Sequence, residues 1–260
     1  MSYRKSIENL AKSLDINNCS FLVTGATGLI GTCVIDVLTS ANELFNANIK
    51  IYALSRSKEK IKNKFGNKVI PIAQDICDKI DLDICYDYII HTASNADPVS
   101  YAQYPVETIT INILGCKNVL DYCVNHIDTK LLFTSTFEVY GKINDVDVYS
   151  ENIFGTIDPF VLRNGYSESK KCAEMLLHSY VDEYGINAVI ARLPSVYGPT
   201  MAANDSKAHA QFINNALAGE NIILKSEGKP KRTYCYVIDV VSAIFTILFK
   251  GETNQIYNIP

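Results

Sequence analysis

Ser20-Phe21-Leu22-Val23-Thr24-Gly25-Ala26-Thr27-Gly28-Leu29-Ile30-Gly31 is the stretch that decides the fold. An apolar, β-branched run that reads as a strand leads straight into a glycine triplet, and residues 29–38 beyond it have helical spacing. Gly25 permits a tight turn, Gly28 lets backbone approach a pyrophosphate, and Gly31 lets the new helix start close to the strand. The helix start also offers N–H groups and the positive end of its dipole to an anion. The glycines are spaced three and three, not two and three, and a triplet alone says little. Strand, loop and helix in this order point to a dinucleotide phosphate site, with Gly25, Thr27, Gly28, Leu29, Ile30 and Gly31 against the cofactor.

Outward from this stretch, further short apolar runs read as strands: residues 49–54, 68–73, 88–91, 130–134 and 187–191. Residues 105–124 and 166–184 carry helical spacing. Such alternation predicts βαβ units and a parallel sheet covered on both faces. The pattern changes after Pro199, where a helix over 207–218, strands over 221–224 and 233–237, a helix over 239–249 and a last extended run over 255–259 are expected. The fold class is therefore α/β: a Rossmann-type doubly wound parallel sheet with a small C-terminal substrate lobe. Residues 1–198 form the dinucleotide-binding domain with the catalytic residues, and 199–260 the lobe, whose elements are free to interleave with the domain. A lobe at the carboxyl ends of the strands would cover the ligand crevice.

Composition narrows the function. The chain has 260 residues, 48% apolar and 20% charged, with 24 basic against 28 acidic side chains. That balance excludes a broadly basic nucleic-acid binder. The best apolar run, 240–249, falls short of the ~20 residues a membrane span needs. The start, Met1-Ser2-Tyr3-Arg4-Lys5, opens a polar helical stretch to about Leu14 and has no apolar leader, so a cytoplasmic location is expected. Eight cysteines contain no Cys-x-x-Cys pair. Cys19, Cys33, Cys116 and Cys172 lie in apolar contexts and read as reduced, buried thiols. Four histidines without metal-ligand spacing predict no metal site.

Two positions bear on the cofactor. An acidic residue at the end of the second strand would hold a ribose 2′-hydroxyl, but that position is Ser55, and Arg56 beside it can bind a 2′-phosphate. This leans toward NADP over NAD; the plainer reading leaves Arg56 solvated, stacked on the adenine. Asp75, after the third strand, either accepts from the adenine amino group or serves only its own turn. Tyr166-Ser167-Glu168-Ser169-Lys170 sets a tyrosine and a lysine four apart on one helix face. A nearby ammonium and a nicotinamide cation would lower the phenol's pKa. Tyr166 could then take a proton from a substrate hydroxyl as hydride leaves the same carbon.

These motifs together resemble the extended short-chain dehydrogenases/reductases of the NAD-dependent nucleotide-sugar epimerase/dehydratase family. The resemblance runs from about Cys19 to Pro260. It rests on the glycine loop; His91-Thr92-Ala93-Ser94; Asn112-Ile113-Leu114-Gly115; Ser135-Thr136-Phe137-Glu138-Val139-Tyr140-Gly141; the Tyr166/Lys170 pair; Arg192 through Val196-Tyr197-Gly198-Pro199; and Lys231-Arg232-Thr233-Tyr234 through Asp239. It implies Thr136 as the hydroxyl that hydrogen-bonds the sugar O4, Tyr166 as the base and Lys170 as the nicotinamide-ribose ligand. It implies Ile76, Thr92, Ala93, Ser94, Leu193 and Val196 against the cofactor. It implies Asn95, Ser135, Ser195 and Arg232 against a nucleotide sugar, and a homodimer through the two long helices. Family members continue past the motif that matches Ile256-Tyr257-Asn258-Ile259, so either the sequence is a fragment or the lobe is abbreviated.

The resemblance also implies one opening step, oxidation at the sugar C4. Dehydratases carry an Asp-Glu pair after the threonine; Phe137-Glu138 here counts against dehydration. Glu138 remains as a catalytic candidate, with a structural salt-bridged carboxylate as the alternative. Within the family the pattern is most similar to the UDP-glucuronate decarboxylases, through Tyr104-Pro105-Val106-Glu107-Thr108-Ile109, Phe154-Gly155, Asp158-Pro159, Arg163 and Gly198-Pro199-Thr200-Met201 with Asn204-Asp205. Phe137, Ser195 and an Asp97 that would repel a uronate depart from it. A C4 epimerase, an NADP-dependent reductase or dehydrogenase of a nucleotide-linked sugar or polyol, and a non-catalytic cofactor-sensing module stand as alternatives.

Overall fold

Every residue of β1 (Ser20–Thr24) is buried, so this strand must be covered on both faces. In the computed structural model, which describes residues 2–81, 83–144, 146, 148–202, 205–224 and 232–260, it is the third strand of a seven-stranded sheet. The other strands are β2 (Lys50–Ser55), β3 (Ile70–Ala73), β4 (Tyr88–His91), β5 (Lys130–Thr136), β6 (Asn187–Leu193) and β9 (Ile256–Asn258). Their order is β3-β2-β1-β4-β5-β6-β9, and every pairing is parallel. β7 (Ser195–Tyr197) and β8 (Tyr234–Tyr236) form a separate parallel pair.

Strand alternation divides the core in two. Phe21 and Val23 of β1 point with Ile51, Ile90, Leu132 and Val189 toward α2 (Leu29–Phe45) and α8 (Val237–Lys250). Leu22 points with Ile89, Leu131, Phe133 and Ile190 toward α5 (Pro105–Asn125) and α6 (Gly165–Tyr184). α1 (Tyr3–Ser13) lies on α2, where Tyr3 donates to Asp36 Oδ2 at 2.8 Å. α3 (Lys58–Phe65) joins β2 to β3, the short α4 (Pro98–Gln103) precedes α5, and α7 (Ala208–Ala218) lies beyond β7. The chain leaves β1 toward β2 and β3, then returns to start β4 on the other side. That switch point is the expected ligand crevice.

Three details differ from the sequence reading. Residues 221–224 are irregular and not a strand; Ile222, Ile223 and Leu224 are exposed, and among the described residues no neighbouring strand takes up their backbone. The helix expected from 239 begins at Val237, and it and β9 join the main sheet. Residues beyond Pro199 are thus shared between the crevice side and the sheet layer. Cys172 is exposed, while Cys33, Cys116 and Cys123 are buried. Asn204 and Lys231 lie outside the described residues. Among the described residues no helix is long and apolar enough to cross a membrane. The outward side of α5 and α6 exposes Val106, Leu114 and Met175.

Candidate active site

The glycine loop is tight because two backbones touch across it. Gly25 takes φ +66°, and a Cβ there would stand 2.8 Å from the backbone of Ala93. A Cβ on Gly31 would fall 2.5 Å from the carbonyl of Gly25. Gly28 is the N-cap of α2, and no side chain caps that end. An uncapped helix start against a loop with no room for side chains suits an anion held by backbone amides, so these residues fit the pyrophosphate of a dinucleotide. Thr92 donates from its hydroxyl to Thr24 O at 2.7 Å, which holds residues 92–94 against the loop. The sequence reading missed Lys64: from α3 its ammonium donates to Thr27 O at 3.3 Å.

At the end of β2, Ser55 Oγ donates to Ser57 O at 3.3 Å. Arg56 is well exposed and pairs with Glu107 at 3.4 Å. Asp75 Oδ1 accepts from the amide of Cys77 at 2.9 Å, an Asx turn. Asp75, Cys77, Tyr104, Glu107 and Ile111 line a cavity of about 530 Å³ between the end of β3 and the start of α5. Ile76 is buried behind Gly115, where a Cβ would stand 2.9 Å from its side chain.

β5 ends at Thr136, followed by the 3-10 turn Phe137–Tyr140. Thr136 Oγ1 accepts from the amide of Glu138 at 3.2 Å. Across from it, α6 brings Tyr166 and Lys170, both buried. Lys170 Nζ donates to Thr134 O at 2.9 Å and lies 4.6 Å from the centre of the Phe133 ring. Burial lowers its pKa to about 8, against the opposing pull of Cys116 and Glu174. Tyr166 is raised above the ordinary phenol value by burial and then by Glu138 and Tyr101, while the nearby hydroxyls of Thr136 and Ser94 pull it down. The sequence reading expects Lys170 to lower this phenol. In the protein alone, burial and the neighbouring Glu138 outweigh any such effect.

Around Tyr166 the structure adds one partner that no motif announced, Tyr101, and gathers Arg163, Ser94 and Asn112 from the motifs. Tyr101 of α4 stacks on the Tyr166 ring, centroids 4.9 Å apart and planes 14° from parallel. Arg163 donates to the Tyr101 hydroxyl at 3.2 Å and pairs with Glu138 at 3.6 Å. Ser167 Oγ donates to Glu138 Oε2 at 3.2 Å. Ser94 donates to Asn112 Oδ1 at 2.7 Å, Asn112 to Ser169 at 2.9 Å, and Ser169 to the carbonyl of Tyr166 at 2.8 Å. Asn112 thereby links the 92–94 segment to Tyr166.

Not every expected substrate residue faces this group. The Ser135 hydroxyl donates to Glu174 Oε1 at 2.5 Å inside the core and is not free for a ligand. Asn95 donates to Thr108 at 3.0 Å. Leu193 and Val196 are buried, and Ser195 is half-buried, its amide on Thr233 O at 3.2 Å. Arg232 is exposed, two residues before β8. Asp97 caps α4 through Ser100 and accepts from the Ser206 amide at 3.2 Å and from its hydroxyl. Burial raises its carboxyl, but the bonds from Ser206 and Ser100 outweigh that and hold it below the usual range.

Residues 21–260 match the NAD dependent epimerase/dehydratase family. UDP-glucuronic acid decarboxylase 6 of Arabidopsis thaliana is 32% identical over 241 residues, 92% of this chain and 69% of that one. Among solved structures, UDP-glucose 4-epimerase of Thermotoga maritima with UDP-glucose is 25% identical at a TM-score of 0.74, covering 92% of this chain and 76% of that one. The dTDP-glucose 4,6-dehydratase of Bacillus anthracis in complex with NAD superposes at a TM-score of 0.76 with 22% identity, covering 93% of this chain and 75% of the other.

Proposed function

The chain belongs to the NAD-dependent epimerase/dehydratase family and is a nucleotide-sugar-modifying enzyme, and on that premise we propose that it oxidises a UDP-linked uronic acid at C4 and releases its carboxylate as carbon dioxide. The observation that carries the first step is the meeting of Thr136, Ser94, Tyr166 and Lys170 beside the glycine loop. The likeness to UDP-glucuronic acid decarboxylases supports the second. Bound NAD(P) supplies the acceptance and return of a hydride. Tyr166 takes the proton of the C4 hydroxyl, which Thr136 orients, and returns it when C4 is reduced again. Lys170, fixed by Thr134 O, supplies the positive charge beside the phenol. A ketone at C4 makes the sugar a β-keto acid. Its carboxyl carbon leaves as carbon dioxide, and the bonding pair stays as an enolate. Glu138, held by Arg163 and Ser167, relays a proton from solvent water to the enolate carbon. Asp97 gives both carboxylate oxygens to Ser100 and Ser206, and these bonds favour its charged form.

The test is turnover with UDP-glucuronate, UDP-glucose, UDP-N-acetylglucosamine and dTDP-glucose, read by mass spectrometry of the nucleotide sugars. The expected product is the UDP-pentose, lighter by one carbon dioxide. Inversion without mass change would make the protein an epimerase, loss of water a dehydratase, and accumulating reduced cofactor a dehydrogenase. Turnover of none of them overturns the reading in favour of a sensing module.

We propose NADP as the preferred cofactor, because β2 ends without a carboxylate and Arg56 and Lys64 flank the glycine loop. Arg56→Ala should weaken NADP binding about ten- to a hundredfold and NAD binding much less, since a charge-assisted contact to a 2′-phosphate is worth ~1.5–3 kcal/mol. Calorimetry with both cofactors decides it: equal weakening places Arg56 on the adenine face and returns the preference to NAD. The same reading pairs two copies through α5 and α6.

A further inference from the structure

Tyr166, Lys170 and Glu174 follow one another at four-residue spacing along one face of α6. The first two belong to the chemistry proposed above; Glu174 has no part in it. It is a buried carboxylate, and its two oxygens accept three bonds. Oε1 takes the Ser135 hydroxyl at 2.5 Å and Arg192 Nε at 3.0 Å, and Oε2 takes Arg192 Nη2 at 2.6 Å. Arg192 is as deeply buried. Its Nη1 donates to Glu151 O at 3.3 Å, and its guanidinium lies 4.7 Å from the centre of the Tyr140 ring. Tyr140 in turn donates to Asn258 of β9 at 2.7 Å.

A buried ion pair of this kind adds little to stability that two apolar side chains would not, because desolvation offsets the attraction. What the pair supplies is geometry. Ser135 precedes Thr136 on β5. Arg192 lies on β6, three residues before Ser195. Glu174 is one helical turn beyond Lys170. The pair therefore ties α6 to the two strands that carry the other residues of the site.

We propose that Glu174, clamped by Arg192 and Ser135, is a positioning residue that fixes Tyr166 and Lys170 against Thr136. The inference rests on the roles given above to Tyr166 and Lys170. The groups that face Lys170 are His91 of β4, Cys116 of α5, Thr134 O and the Phe133 ring of β5, and Glu174 of its own helix. His91 is neutral and Cys116 is a thiol whose pKa burial pushes up to about 12. The Glu174 carboxylate, paired with Arg192 at 2.6 Å, lies one helical turn from Lys170, and Cys116 first and Glu174 second oppose the lowering of Lys170 by burial.

The test uses Glu174→Gln, which keeps the shape and an acceptor for Ser135 but not the charge. Because an unpaired Arg192 can prevent folding, Glu174→Leu/Arg192→Met is made beside it as an apolar replacement of the whole clamp. Two readouts are taken on the full chain. The first is the titration midpoint of Lys170, followed by NMR of ¹³C-labelled lysine and assigned with Lys170→Met. The second is kcat and KM on the substrate that the parent turns over. The expected result is a lower Lys170 midpoint in Glu174→Gln and, in both variants, kcat reduced ~10–100-fold with KM changed little, as misplacement of reacting groups gives. An unmoved midpoint in Glu174→Gln, or a kcat within a factor of ~3 of the parent in both variants, overturns the proposal. If the parent turns over no nucleotide sugar, the function proposed above fails, and the Lys170 midpoint alone then decides this one.

Discussion

Tyr166→Phe turns over the nucleotide sugar on the order of 10²–10⁴-fold more slowly than the parent, while its affinity for the cofactor stays the same. The substitution removes one oxygen and leaves the rest of the wall in place. The Phe ring keeps its burial and its stack on Tyr101, 4.9 Å away, and Lys170 keeps its bond to Thr134 O. What goes is the hydroxyl that the Thr136 and Ser94 side chains neighbour. In the protein alone this phenol is raised, first by burial and then by Glu138. The base form therefore has to be created by positive charge brought to the site, which Lys170 and an oxidised nicotinamide ring supply together. Steady-state kcat and a calorimetric Kd for the cofactor are the two measurements. A variant that retains activity within a factor of ~3 removes Tyr166 from the chemistry.

Local chain constraints made some of this molecule readable before its structure. β1, the glycine loop and α2 are consecutive, and each glycine answers a contact the turn itself creates, such as Gly31 against the carbonyl of Gly25. The central strands were legible because parallel strands covered on both faces must be apolar throughout. The Tyr166/Lys170 pair was legible because four residues along a helix return to the same face. Ser135 shows a signal that was present and not used. It was read with Thr136 because both carry hydroxyls, but neighbours on a strand point to opposite faces. If Thr136 faces Tyr166, Ser135 must turn inward, where Glu174 receives it.

Other features depend on which distant segments meet, and periodicity does not encode that. Tyr101 on Tyr166, Lys64 on Thr27 O and Ser206 on Asp97 each join segments far apart in the chain. Residues 221–224 mislead for the converse reason. Asn221-Ile222-Ile223-Leu224 has the composition of a strand, yet a strand exists only where a neighbour takes its backbone hydrogen bonds. α8 was placed in the outer lobe by its position in the sequence, but so apolar a helix must be covered, and the α2 face of the sheet covers it.

Acidification from pH 6.5 to 4.5 should cost the protein about 2–3 kcal/mol of stability through His91 alone. His91 ends β4 and is buried. Its Nδ1 is 2.7 Å from the Thr24 hydroxyl, its ring stacks on Phe133 at 5.7 Å, and its Nε2 is buried without a partner among the described residues. Burial, and next the Lys170 ammonium, lower its pKa from the ordinary 6.5 to about 3. The sign follows from proton counting. Between those two values the unfolded chain binds a proton at His91 and the folded chain does not, so stability falls as pH falls through the window. At 1.36 kcal/mol per unit the whole window amounts to about 5 kcal/mol, a large part of the ~5–15 kcal/mol that holds a typical domain together. His91→Asn keeps a polar group near Thr24 and has nothing to titrate. Urea unfolding of parent and variant at both pH values isolates the contribution, since the carboxylates common to both cancel in the difference. The parent should lose about 2–3 kcal/mol more than the variant between the two; equal losses would mean that His91 takes up its proton without unfolding the site, through a partner at Nε2.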